Sequence, residues 1–186
     1  MIDREEIKRL TEEYGGAWGS NHTKRLLDLI SRISEGQEYD EEVVWLSAYL
    51  HDWGGYAKWR KPEIDHAERS REVAEAYLLE RGYPQKELAK VLESIETHHS
   101  AGKGRCIEAQ LLGDADALDF LGCIGVLRMF SMKSRDLRAA YETVRKRREQ
   151  LPRKLCLEKS HEIAEKRLER MDKILAWFEQ ETRQIF

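Results

Sequence analysis

The chain has 186 residues, 41% of them hydrophobic and 36% charged, which suits one globular domain with a sizeable core. Its 32 Lys and Arg face 35 Asp and Glu, so a net charge of -3 excludes a global field that would draw it onto DNA or an anionic membrane, and any phosphate recognition must be local. The longest largely apolar run, Val43 to Leu50, is too short to cross a bilayer, and the opening MIDREEIKRL lacks the apolar core of a signal peptide, so a cytoplasmic protein is expected. Cys106, Cys123 and Cys156 have no paired CxxC spacing and fit reduced, packing thiols.

Strand signals are nearly absent, and apolar residues recur at three- and four-residue spacing almost throughout, which predicts an all-α bundle. Gly15, Gly16, Gly19 and Ser20 predict a loop, followed from about Asn21 by a helix with Leu26, Ile30 and Ile33 as its inward stripe. His22 lies four residues before Leu26 and shares that face. The next helix, Glu41 to Asp52, is apolar nearly all round, which predicts a central, buried element that delivers His51 and Asp52 inward before Gly54-Gly55. Adjacent helical residues diverge by about 100°, yet an imidazole and a carboxylate of different reach can converge on one ion beside the helix. His66 then shares a face with Ser70, Val73 and Tyr77, and Gly82 with Pro84 separates two helices. The stripe Leu88, Val91, Leu92, Ile95 continues into His98 and His99, and Ser100, Gly102 and Gly104 mark the next break.

The stretch LLGDADALDFLG offers three carboxylates; Asp116 stacks with Leu112 and Phe120, Asp114 with Leu111, Leu118 and Leu121, and spacing does not choose between them. A lone inward His is usually a satisfied core residue, and an inward Asp is often a helix cap. Five of the six histidines facing apolar stripes, together with these carboxylates, would each need a separate neutralising partner, and a bound metal is the simplest common one. The run Arg145, Lys146, Arg147, Arg148 offers a phosphate patch, but a charge run on a helix is usually a solvated face, which is the reading taken. Beyond Pro152, Ala164, Leu168, Met171, Leu175 and Phe178 predict a closing helix packed back on the bundle.

The pattern H…HD…D resembles the HD superfamily of metal-dependent phosphohydrolases. The segments HTKRLLDLI, LSAYLHDWGGYAKW, DHAERSREVAEAYL, VLESIETHH and LLGDADALDFLGCIGVLRMF are similar to successive blocks of bacterial and archaeal HD-domain hydrolases related to nucleotide pyrophosphohydrolases, and SHEIAEKRLERMDKILAWFEQE to their closing helix. The resemblance implies a single HD domain over 1–186, with metal-binding helices over about 20–130, packing helices over about 134–183, and the metal site between central helices. It implies His22, His51, Asp52 and Asp116 as metal ligands, with Asp114 and Asp119 in support. The short span from His51-Asp52 to His66 and the doubled His98-His99 depart from that pattern. They raise a second ion at His66 and His98, because binuclear HD proteins, di-iron oxygenases included, look like H…HD…H…H…D.

Two imidazoles and two carboxylates leave open positions on an octahedral ion, which suits Mn, Fe, Ni, Co or Mg better than a closed structural zinc site. The expected reaction is attack of a metal-activated water on a nucleotide or other small phosphate ester, with no nucleic-acid duplex or membrane as partner. Asp52, Lys58, His66 and His98 are the catalytic candidates, and Lys58, His66, His99 and Arg128 the substrate-binding ones. Lys58 matches the family and, with Arg60 and Lys61, follows the glycine turn; Arg128 resembles a recurring family Arg but is equally placed to pair with Asp119. Trp53, Tyr56 and Trp59 read as core or as a platform for a nucleobase. The alternatives are a di-iron oxygenase and a non-catalytic module clamped by a structural metal.

Overall fold

Asp3, Asp40, Asp65 and Asp136 each stand one residue ahead of a helix and accept backbone N–H groups of its first turn, which would otherwise lack partners. The computed structural model describes residues 2–100, 105–183 and 185. Among these are eight α-helices and no strand: α1 (Arg4–Ile33), α2 (Glu41–Leu50), α3 (His66–Glu80), α4 (Gln85–Thr97), α5 (Ile107–Asp119), α6 (Gly122–Met132), α7 (Leu137–Gln150) and α8 (Glu158–Thr182). Short 3-10 turns follow α2 at Trp53–Gly55 and α7 at Leu151–Lys154. No helix among the described residues is long and apolar enough to cross a membrane. Gly102 and Gly104, part of the break expected after Ser100, lie outside the described residues.

The loop expected at Gly15 to Ser20 is a break of one residue. Only Gly16 leaves helical geometry (φ 61°, ψ -167°), and α1 resumes at once. Gly15 and Gly19 have a different function: a Cβ at either would lie 2.5 Å from the Tyr56 phenol, so glycine there admits that ring against the helix.

Two apolar clusters make the core. Leu26, Ile30, Leu111, Leu118, Met129, Val144 and Met171 belong to one, built from α1 and α5 to α8. Ile7, Trp53, Val73, Leu78, Val91 and Ile95 belong to the other, built from the start of α1 with α3 and α4. α2 serves both: Val44 and Ala48 face the first, and Val43, Leu46, Tyr49 and Leu50 the second. A helix with apolar partners on two sides must be apolar all round, as α2 is. Its C-terminus, carrying His51 and Asp52, therefore emerges at the seam between the clusters.

Candidate metal centre

At the end of α2, the His51 ring turns back so that Nδ1 meets the Ala48 carbonyl at 2.9 Å, and at the end of α4 His98 does the same to Ile95 at 2.6 Å. Each Nδ1–H thereby supplies a donor to a last-turn carbonyl that lacks a helical partner, and fixes the tautomer with a bare lone pair on Nε2. Both Nε2 atoms are buried and have no hydrogen-bond partner. Two buried imidazole nitrogens held this way are compatible with coordination of a metal ion.

His22 reaches the same place from α1, its Nδ1 held at 2.8 Å by Asp119 and its Nε2 turned to Asp116 at 3.2 Å. Asp52 Oδ2 lies 3.3 Å from His51 Nε2 and 3.8 Å from His22 Nε2. His22, His51 and Asp52 thus offer three ligand atoms mutually within 4.8 Å, and Asp116 joins them through His22. His66, His98 and His99 offer a second such trio. The two sets adjoin: the His51 and His98 ring centroids are 5.1 Å apart, and Asp116 turns its other oxygen to His99 Nδ1 at 3.4 Å.

The electrostatics demand positive charge. Burial alone would depress the His22 pKa, but Asp116, Asp119 and Asp52 outweigh it and raise it to about 9. The same contest raises His51, where Asp52 prevails over burial. Asp116 is held well below the carboxylate range, since the His22 and His99 contacts overcome its burial. His98 is different: burial, then the neighbouring His51 and His99, push it down to about 3, so it stays neutral. This nitrogen-and-oxygen donor set, buried behind and 31% exposed at the Asp52 side chain, fits a divalent cation with an open coordination face.

A family model for the HD domain matches residues 19–121, more than half of the chain. The chain belongs to the HD-domain family. Membership bears out the resemblance read from the sequence, the all-α class and the assignment as a hydrolase. Similar solved structures span nearly the whole HD-domain protein. Bacillus subtilis YpgQ in complex with ADP is 21% identical with a TM-score of 0.74, covering 99% of this chain and 100% of that one. An HD-superfamily hydrolase from Bacillus thuringiensis is 21% identical with a TM-score of 0.72, over 97% and 94% of the two chains. A protein described as a predicted HD superfamily hydrolase, from an uncultured Thermotogales bacterium, is 22% identical with a TM-score of 0.68, over 96% and 92%. No curated protein matches.

Within this HD-domain protein, the DADALD block divides its tasks in a way that spacing left open. Asp116 faces the histidines. Asp114, expected in a supporting role there, accepts the backbone N–H groups of Cys156 and Leu157 at 2.9 Å and so fixes the turn that leads into α8. Asp119 is fully buried and accepts from Arg25 Nε at 2.7 Å and Nη2 at 2.9 Å as well as from Arg128, which is the ion pair weighed for Arg128. His66 and His99 meet at 2.7 Å through their Nε2 atoms. Lys58 lies apart from this cluster, its ammonium 4.0 Å above the Tyr14 ring and 4.9 Å from Trp59. Trp53 is wholly buried, stacked on Trp59 at 4.6 Å and donating to Thr11 at 3.0 Å, so it is core and no platform for a base.

Two basic residues sit differently from what the sequence suggests, Arg25 with no role expected and Arg147 expected on a solvated face. Arg25 stands three residues after His22 on the same face, which was a usable signal. Arg147 was absorbed into a solvated run, yet its guanidinium lies 3.9 Å over Phe120 with Nη1 buried. The stripe Ala140, Val144, Arg147, Leu151 places it on the packed side of α7.

Proposed function

We propose that this protein is a divalent-metal-dependent phosphohydrolase acting on a nucleotide or another small phosphate ester, with 1–186 as a single cytoplasmic HD domain. The observation that carries this reading is the convergence of His22 Nε2, His51 Nε2 and Asp52 Oδ2, with both imidazoles held from behind and Asp116 alongside. A divalent ion (Mn, Fe, Ni, Co or Mg) bound by His22, His51, Asp52 and Asp116 would supply an activated water and stabilise charge developing on a phosphoryl oxygen.

The chain's own residues do the rest. Asp119 orients His22, and Asp52, on the accessible side, would hold the ion where a water could approach. Burial and His99 lower His66, while burial and His51 lower His98; both are neutral at pH 7 and act there as proton acceptors or ligands rather than acids. Arg128 and His99 flank the centre as phosphate contacts, and Lys58 reaches it by leaving its seat on Tyr14. The ADP bound by Bacillus subtilis YpgQ supports a nucleotide as substrate. A two-ion centre is the second reading, favoured by the His66, His98, His99 trio and by Asp116, which touches both groups.

A screen of nucleotides and simple phosphate esters with each divalent metal, following phosphate and pyrophosphate separately, tests the proposal. His51→Ala and Asp52→Ala should lose metal binding and turnover together, whereas Lys58→Ala should keep the metal and raise KM. Equal turnover in all three would refute the site. One ion per chain would remove the second reading, and activity that required oxygen would favour an oxygenase over a hydrolase.

A further inference from the structure

Arg128 is only 8% exposed, and its Nε is buried without a partner. Arg147 brings a second guanidinium to the same aromatic ring: the two lie 4.2 Å and 3.9 Å over Phe120, whose ring centroid is 6.0 Å from that of His22. Like charges so close repel. Burial, followed by Arg128, lowers the Arg147 pKa against the pull of Asp116. The local carboxylates are already engaged, Asp119 by Arg25, Arg128 and His22, and Asp116 by His22 and His99. Among the described residues, the buried Nη1 of Arg147 has no acceptor. A buried donor on a charged group is costly to leave unmet, so its position implies an acceptor that arrives from outside.

We infer that Arg147 is a substrate-binding residue of this centre, holding an anionic phosphoryl oxygen jointly with Arg128. The inference rests on the phosphohydrolase reading above. The planar guanidinium fork matches a phosphate oxygen pair, and stacking on Phe120 keeps each fork oriented before substrate enters. Arg147 lies on α7, beyond the segment 19–121 that the family model matches, so a packing helix outside that segment would complete the substrate site.

The test is calorimetric titration of inorganic phosphate into wild type, Arg147→Gln and Arg147→Lys loaded with Mn, with Mn affinity and Tm measured on each. Expected are an Mn affinity close to wild type and phosphate binding roughly 10- to 100-fold weaker in Arg147→Gln, with Arg147→Lys between them. On any ester that wild type cleaves, Arg147→Gln should raise KM. Phosphate affinity equal to wild type in Arg147→Gln, whatever happens to Tm, would make Arg147 a packing residue and overturn the inference alone. If Arg147→Gln does not fold, Arg147→Lys decides: about tenfold weaker phosphate supports the inference, and unchanged affinity overturns it. Wild type that binds no phosphate and cleaves no phosphate ester would instead sink the phosphohydrolase reading, and this inference with it.

Discussion

Asp119→Asn removes one charge without removing volume, at a carboxylate with no exposure that accepts from His22, twice from Arg25 and from Arg128. An amide keeps one carbonyl acceptor and turns an NH2 donor toward groups that are themselves donors. Breaking a buried, hydrogen-bonded ion pair on one side costs about 3–5 kcal/mol, because the remaining charges stay in a poorly solvated place. For a chain of this size each kcal/mol moves Tm by roughly 2–4 °C, so melting should fall by roughly 6–20 °C. The effect on function is separate. Asp119 fixes the His22 ring through Nδ1, and loss of such an outer partner typically weakens a metal about 10- to 100-fold. Mn affinity, measured by competition with a chelating dye well below Tm, reads that second effect. Asp114→Asn is the control: it weakens the buried acceptor of the Cys156 and Leu157 N–H groups and should lower Tm while leaving Mn affinity unchanged. Equal Mn affinity in wild type and Asp119→Asn would refute the claim that Asp119 positions a ligand.

Gly54→Ala should destabilise by about 1–3 kcal/mol or more, since its Cβ would sit 2.3 Å from the Ser70 backbone nitrogen and 2.7 Å from the His66 carbonyl, where no side chain can yield. It pushes α3 away and carries His66 with it; a Tm within a degree of wild type would contradict this close approach. A rise in Tm on adding Mn, reversed by chelator, is expected of a site that forms only in the folded chain, and no shift at millimolar Mn would argue against metal binding. Acid should loosen the contact between α1 and α3. Tyr77 and then Arg81 hold Glu6 below its ordinary value of 4.5, so its contribution is present above that pH and is lost as pH falls through the lower folded value. The Tm difference between wild type and Glu6→Gln should therefore shrink below pH 4.5, and a constant difference would show that the carboxylate charge contributes nothing.

Periodicity by itself determined the helical class, the inward direction of His22 and the central burial of the helix ending in His51-Asp52, because a 3.6-residue repeat fixes which side chains share a face. The motif spacing carried the family resemblance. What only tertiary structure decided is which inward groups meet. Asp114 and Asp116 each stack with apolar neighbours on one helix, yet one holds the turn before α8 and the other faces His22, a difference set by the elements packed on either side of α5. Likewise, glycines 15 and 19 looked like a loop because composition cannot distinguish a residue that frees the backbone from one that clears room for a distant tyrosine. Arg147 was hidden for the same reason: a charge in a basic run is solvated unless the fold buries its face, and α7 turns that face onto Phe120. Local sequence fixes direction about a helix axis, whereas the distance between two helices, and so the partner of every polar group, is a property of the packed whole.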